Sequence, residues 1–365
     1  MGKAKDVNIY RPAYENKAGG GEFTFTDCYS IFDYGTMPDK LPNKGRSLAV
    51  MSQYNFEECD KRGIRHHSLG LDCGGGGLGP LGSIPDKSNG SGSMVFNAAV
   101  VYTPVERRII GDKDTPQTTY DYSFFETNRG NINNYLLPLE VIFRNGLPRG
   151  SSVFKRIAEA KAIANPQENE AALQKIYEKI GVREEPKPGD MLPKPIVGYT
   201  TKWEAGDRHL SDEEALRISG LREEDFEKIG PFALSVDNLI TQRAEEVGLG
   251  PHWDGKIELV WFNCLVLADV AGTLDEDRFG QDLSKEFLRQ WYDQNQPEFH
   301  KACDEWKKIG DGWQGRCPVK PVQLPEDIVK LVSDMYMAAA NAWVGRGIFE
   351  APDLSDVILA MQNSV

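Results

Sequence analysis

The chain has 365 residues, enough for two domains or one large domain with insertions, and its 40% hydrophobic and 27% charged content is that of a folded globular protein. Lys+Arg 42 against Asp+Glu 55 leaves a formal charge of −13, which argues against a broad nucleic-acid footprint or an anionic membrane surface; any anionic ligand must be met by a local group of Lys and Arg. No apolar run approaches the ~18–20 residues of a membrane helix, and Met1–Asp6 holds neither an apolar signal core nor a myristoylation pattern, so a cytoplasmic protein without nucleic-acid or membrane partners is expected.

Gly2-Lys3-Ala4-Lys5 sets two cations beside a glycine, a composition suited to a hairpin tip draped over phosphates, although Lys-rich N-termini are common. Phe23-Thr24-Phe25-Thr26 alternates aromatic and polar residues, and Val95–Tyr102 and Leu137–Phe143 are β-branched or aromatic, so each reads as a strand. Between them Leu69–Ser93, loaded with Gly, Ser and Pro, reads as a long loop or insertion. Within it Gly77-Leu78-Gly79-Pro80-Leu81-Gly82 has the spelling of a dinucleotide fingerprint, but Pro80 and Pro85 deny it the following helix that would aim amides at a pyrophosphate. His66-His67 would point to opposite faces of a strand, which disfavours a shared metal. The six cysteines form no Cys-x-x-Cys and read as reduced thiols.

After Leu139-Glu140-Val141-Ile142-Phe143-Arg144-Asn145, an apolar strand with charges, Gly150-Ser151-Ser152 opens a helical region. A helix start beside Arg144 suits a phosphomonoester; plain N-capping by Ser151 explains the same residues. Helices are expected over Val153–Ala164 and Glu168–Ile180, the second ending at Gly181. Ser211-Asp212-Glu213-Glu214 is a capping box, and a longer helix over Phe232–Val247 stops at Gly248 or Gly250. After Pro325 a helix places Ile328, Leu331, Val332, Met335, Ala339 and Trp343 on one face, a core-packing stripe. Strands early and helices late predict an α+β protein: an N-terminal sheet-rich lobe (1–136) and a larger mixed lobe (137–365).

The most informative stretch runs from Asp254 to Asp269. In a strand over Asp254–Phe262, Asp254, Lys256 and Glu258 share a face. A two-residue turn at Asn263-Cys264 would set Glu258 opposite Asp269, with Cβ atoms ~5 Å apart. Two carboxylates that close want a cation between them, and two oxygen ligands with room for water and phosphate describe Mg²⁺; a solvated polar hairpin face is the plainer alternative. Further on, Lys285 and Arg289 lie four apart, on one helical face able to share an anion.

These pieces together resemble the phosphoribosylaminoimidazole-succinocarboxamide synthase (SAICAR synthetase) family. The resemblance rests on Gly2–Val7, Phe25-Thr26-Asp27, Ser30–Gly35, Lys44-Gly45, Pro138–Asn145 with Gly150-Ser151-Ser152, Thr200-Thr201-Lys202-Trp203-Glu204 with Asp207, Asp254–Glu258, Asp269, Gly272–Phe279 and Ser284–Arg289, all in family order. It implies an α+β fold with a kinase-like N-terminal lobe, an ATP-grasp-like larger lobe and ATP in the cleft. It implies an ATP- and Mg²⁺-dependent ligase that condenses carboxyaminoimidazole ribonucleotide (CAIR) with L-aspartate, through an acyl phosphate, to SAICAR, ADP and phosphate. Under it Lys3, Lys5, Lys202 and Glu140 bind ATP, and Glu258 and Asp269 hold the metal. Arg144, Ser151, Asp275, Arg278, Lys285 and Arg289 hold the ribonucleotide, and Lys202, Lys256 and Asp254 serve catalysis. Two other readings stay open: a paralogue amidating a related azole carboxylate, and a kinase-like phosphotransferase, although His-Arg-Asp and Asp-Phe-Gly are both missing from the sequence. Homo-oligomerisation is open too.

Overall fold

The computed structural model describes residues 4–73, 77–110, 116–204, 206–280, 283, 285–309 and 312–364. The chain opens with strands β1 (Lys5–Arg11) and β2 (Gly20–Phe25), helix α1 (Lys44–Lys61), and strands β3 (Ser68–Asp72), β4 (Leu78–Gly79) and β5 (Ser93–Phe96). These strands form an antiparallel sheet in the order β1-β2-β5-β3-β4. A two-stranded ribbon, β6 (Val105–Ile110) and β7 (Pro116–Asp121), and the short α2 (Ser123–Thr127) lead to the second sheet.

That sheet is built on the long strand β8 (Tyr135–Leu147). Helices α3 (Ser152–Lys161) and α4 (Pro166–Ile180) follow, then β9 (Asp190–Thr201), β10 (His209–Leu210), α5 (Asp212–Ser219), α6 (Glu223–Phe226) and α7 (Ile229–Glu246). Strands β11 (His252–Trp261), β12 (Leu265–Ala268) and β13 (Asp277–Phe279) complete six antiparallel strands, ordered β10-β9-β8-β11-β12 with β13 on the free part of β11. Helices α8 (Lys285–Asn295), α9 (Pro297–Lys307), α10 (Trp313–Arg316), α11 (Glu326–Val344) and α12 (Leu354–Gln362) close the chain.

This is the mixed α+β fold expected, and one hydrophobic core runs through both sheets and the C-terminal helices. Of the face predicted for it, helix α11 buries Ile328, Val332, Met335, Ala339 and Trp343, largely against α1, while Leu331 is half-buried at its edge. A satellite core of Leu147, Val153, Ile157, Ile180 and Leu192 fixes the α3–α4 hairpin to the second sheet. No described helix is long and apolar enough to cross a membrane.

Three expectations change. The glycine-rich stretch 69–93 is not a plain loop, because β3 and β4 lie in it. Gly70 is there for close approach: at φ +122°, a Cβ would sit 2.9 Å from the Gly79 carbonyl oxygen. The strand expected over Val95–Tyr102 ends at Phe96, and its remainder is irregular apart from a bridge between Val100 and Tyr135. Helix α3 stops at Lys161, and α4 starts at Pro166, capped by Asn165.

The capping box is half formed. Ser211 Oγ accepts from the Glu214 amide at 3.1 Å, whereas the Glu214 carboxylate takes Arg208 NH1 at 2.9 Å instead of reaching back. Ser211→Ala therefore leaves one amide of α5 unsatisfied and is expected to cost ~1 kcal/mol, read as a lower urea midpoint at unchanged slope.

Candidate active site

Burial alternates along β11: Gly255, Ile257 and Leu259 face the core, so Asp254, Lys256 and Glu258 share the other face, as their period of two predicted. The antiparallel register extends that face across the sheet in three rows. Arg278, Asp254, Arg144 and Ile196 lie side by side in the first. Lys256, Ile142 and Gly198 form the second, and Glu258, Glu140 and Thr200 the third. At ~3.3 Å per residue, the first and third rows are about 13 Å apart.

The hairpin register differs from expectation by one residue. Trp261 pairs with Leu265 and Glu258 with Ala268, because the turn has three residues, 262–264, with Asn263 left-handed at φ 57°. A slip of one would send Asp269 to the opposite face. Asp269 instead leaves the strand in a left-handed conformation, φ 60°, and its carboxylate meets Lys5 at the start of β1. The side chain of His67 holds this bend, with Nε2 2.9 Å from the Asp269 carbonyl oxygen.

Glu258 is paired with Lys202, just beyond β9, and Asp269 with Lys5. Burial and then the charge of Asp269 push Glu258 up to about 7, against the pull of Lys202 and Lys5. Asp269 goes the other way, because Lys5 and Lys202 outweigh its burial. Burial and the neighbouring Asp269 charge thus favour the uncharged form of Glu258, while the two lysines keep Asp269 ionised. Burial lowers Lys5, but Asp269, Glu276 and Glu258 together raise it further.

In the middle row Lys256 Nζ lies 3.1 Å from Glu140 Oε1 and 3.6 Å from Glu276 Oε2. Its burial is outweighed by Glu276, Glu140 and Asp207, so its pKa rises and it is a fixed cation at neutral pH. Burial raises Glu140, Lys256 opposes, and Glu140 Oε2 is buried with no hydrogen-bond partner. In the first row Arg278 grips Asp254 with both ends of its fork, Nε to Oδ1 at 2.7 Å and NH2 to Oδ2 at 2.5 Å. Arg144 stands 3.6 Å from the same carboxylate and donates from NH2 to Ser152 Oγ at 3.4 Å. Cations therefore gather at both ends of the face, one end also carrying the acid pair.

The SAICAR synthetase family model matches residues 1–305 of this chain. A relative from Archaeoglobus fulgidus, named "Putative phosphoribosylaminoimidazole-succinocarboxamide synthase", is 36% identical over 368 residues, spanning 100% of this chain and 99% of its own. The chain belongs to the SAICAR synthetase family. A phosphoribosylaminoimidazole-succinocarboxamide synthase of Thermoplasma acidophilum is 28% identical over 86% of this chain and 89% of its own. Among solved structures, SAICAR synthase from Saccharomyces cerevisiae complexed with SAICAR covers 94% of this chain and 93% of its own at TM-score 0.58 and 20% identity. A SAICAR synthetase in complex with ADP covers 88% of this chain and 99% of its own at TM-score 0.51 and 19% identity. At those identities the likeness is one of fold.

Within this SAICAR synthetase fold, Lys5, Glu140, Arg144, Lys202, Asp254, Lys256, Glu258, Asp269 and Arg278 come together on or beside one sheet face. Lys3 lies outside the described residues. Ser151 is the N-cap of α3, its Oγ accepting from the Val153 amide at 3.4 Å. Asp275 is buried between Lys44 Nζ at 2.7 Å, Lys285 Nζ at 3.4 Å and the Tyr336 hydroxyl at 2.8 Å. Despite burial, Lys285 and Lys44 hold its carboxyl well below the usual range. Lys285 and Arg289 meet different carboxylates of the chain, the first Asp275 and the second Glu286 at 2.9 Å.

Sequence reasoning missed Lys44, Glu276 and His67. Lys44 and Glu276 stood inside family motifs, and their charge near other site acids was the available signal. His67 carried none, because its partner is a backbone carbonyl 202 positions away.

Proposed function

We propose that the three rows of this face hold the substrates of the family reaction end to end: the nucleotide phosphates at the Glu258 row, the reacting carboxylate by Lys256, the ribonucleotide phosphate at the Arg144 row. The reaction is the ATP-dependent condensation of CAIR with L-aspartate to SAICAR, ADP and phosphate in purine biosynthesis. The supporting observation is the clustering of Glu258, Asp269, Lys5 and Lys202 at one end of the face and of Arg144, Asp254 and Arg278 at the other.

A carboxylate cannot be amidated directly, because oxide would have to leave. The CAIR carboxylate attacks the γ-phosphorus of ATP and ADP departs; the aspartate amine then attacks the acyl carbon and phosphate leaves. Lys5 and Lys202 neutralise the phosphoryl oxygens, a task of charge and alignment. Lys3 and Glu140 complete the nucleotide site. Lys256, locked in its charged form by Glu140 and Glu276, stabilises negative charge on the reacting carboxyl group instead of taking a proton. Asp254 has both oxygens on Arg278, so it acts by orienting Arg278 and Arg144. Ser151, Asp275, Lys285 and Arg289 complete the ribonucleotide site, with Asp275 fixing Lys44 and Lys285.

Glu258 and Asp269 fit Mg²⁺ by the chemistry of their donors: they are oxygen-only and adjacent, and burial together with the charge of Asp269 holds Glu258 up at about 7. Among the described residues no third His, Cys, Asp or Glu joins them, and Mg²⁺ held there would also take phosphate oxygens and water, as it commonly does. When bound, the ion would neutralise charge developing between the β- and γ-phosphates.

Lys5 of the first sheet meets Asp269 of the second, which supports a nucleotide lying between two lobes, 1–136 and 137–365, the larger ATP-grasp-like. Six free cysteines suit a cytoplasmic location. The test is coupled turnover. Phosphate release from ATP is expected only when CAIR and L-aspartate are both present, and ATP turnover indifferent to aspartate would reject the ligase reading.

A further inference from the structure

Between β8, β9 and the start of α3 the face carries a recess that none of the family-implied residues except Arg144 accounts for. Ile142 and Gly198 form its floor, Gly198 leaving space because it projects no side chain into the middle row. Arg144, 6% exposed, closes one side; Ser152 and Arg156 come from α3, Lys179 from α4, and His209 from β10.

The charges in this recess do not balance. Lys179 is paired with Asp212 at 3.0 Å, but Arg156 forms no ion pair among the described residues. Its Nε is buried with no hydrogen-bond partner, and its NH1 lies 3.0 Å from His209 Nε2. Arg144 Nε also has no hydrogen bond, but it lies 3.6 Å from Asp254 Oδ2, so the unpaired charge of the recess is that of Arg156. Burial and then Arg144 itself disfavour the charge on Arg156, with only Glu159 in opposition. Desolvation, followed by the charges of Arg156, Lys179 and Arg144, holds His209 down at about 4, so the ring is neutral and its Nε2 accepts from Arg156. A guanidinium half-withdrawn from water, aimed beside a second one and steered by a neutral imidazole, lacks an anion.

We propose that Arg156, oriented by His209, is a binding residue for the phosphomonoester of the ribonucleotide, enlarging the anchor beyond Arg144 and Ser151. This rests on the ligase reading above for the identity of the substrate, while the anion recess itself does not. The recess lies between the first and middle rows and is narrow, so it receives phosphate oxygens only, while the sugar and base of a mononucleotide lie outside it on the face toward Lys256. Arg156 has no neighbour among the reacting groups, so its contribution is to binding and not to the chemical step.

The experiment compares wild type with Arg156→Ala, Arg156→Lys and His209→Ala. For Arg156→Ala the KM for CAIR should rise ~10- to 100-fold, the loss of one charge-assisted contact, with kcat and the KM values for ATP and aspartate near wild type. Arg156→Lys should recover part of that loss, and His209→Ala should show a smaller rise of the same kind. In thermal melts ribose 5-phosphate should raise the midpoint of wild type and not of Arg156→Ala, while ADP raises both equally. An unchanged KM for CAIR together with undiminished ribose 5-phosphate protection overturns the proposal, as does loss of ADP protection instead. Should wild type fail to turn over CAIR, the ligase reading fails, and the ribose 5-phosphate melts still decide the recess. Arg156→Lys serves as the readout if the alanine variant does not fold.

Discussion

Glu258→Gln should lower kcat by at least ~10³-fold while the protein melts within a few degrees of wild type. The substitution keeps shape and the capacity to accept from Lys202, and removes only the charge. Because burial and Asp269 already hold the Glu258 pKa up at about 7, the resting protein populates the uncharged carboxyl near neutrality, and a neutral amide there costs the fold little. Catalysis asks the opposite of the group. Phosphoryl transfer is accelerated by fixed, opposed charges around the moving phosphoryl group, and an amide cannot complete a divalent site with Asp269. A second readout separates the metal role from general damage: Mg²⁺ or Mn²⁺ with ADP should raise the wild-type melting temperature and leave that of the variant unmoved. Activity within tenfold of wild type, or an undiminished metal-dependent shift, would remove Glu258 from the metal site.

What the sequence made legible here follows from range. The sharing of one face by Asp254, Lys256 and Glu258 is a property of any strand, needs no partner and was read directly. The partner register was not, because alternation says which face a residue takes and not where a turn begins; a three-residue turn with left-handed Asn263 looks in sequence like a two-residue one. That Asp269 still reaches the site depends on a second left-handed residue, Asp269 itself, and on a hydrogen bond from His67, neither of which local pattern reveals. The glycines of 69–93 misled in the same way: a glycine needed for flexibility and one needed so that strands can approach are spelled alike, and Gly70 is the second kind.

Long-range charge pairs were the least visible. Lys44, fully buried on α1, finds Asp275 across 231 positions. Arg156 and His209 belong to elements that only the second sheet brings together. The family motifs contain Lys44 and Asp275 because they preserve order along the chain, but they do not show the pairing between them.

The strongest example lies beneath the site, where His252 on β11 is fully buried between two acids. Its Nε2 is 3.0 Å from Asp277 Oδ1, its Nδ1 3.3 Å from Asp237 Oδ1, and the Thr241 hydroxyl lies 2.8 Å from Nδ1. Gly255 allows the approach, since a Cβ there would fall 2.0 Å from Asp277 Oδ1. Burial lowers the imidazole pKa, but Asp237 and Asp277 more than reverse this and raise it to about 9; burial lifts Asp277 to about 6 even with His252 beside it. A histidine raised from ~6.5 contributes stability that is complete below ~6.5 and disappears as the pH climbs through 9. The size is about 3 kcal/mol for a fully buried group, opposed in part by Asp277, whose raised carboxyl destabilises the fold above its own pKa. Wild type should therefore lose stability between pH 6.5 and 9. His252→Asn should be less stable by ~3–5 kcal/mol at pH 6.5, since two buried carboxylates lose their cation, and should show a flatter profile over the same window. Urea unfolding at half-unit pH steps measures both. Parallel profiles for the two proteins would mean that His252 is neutral in the fold, and Asp277 would then hold the Glu276–Arg278 segment through Thr273 N at 3.1 Å without a charged partner.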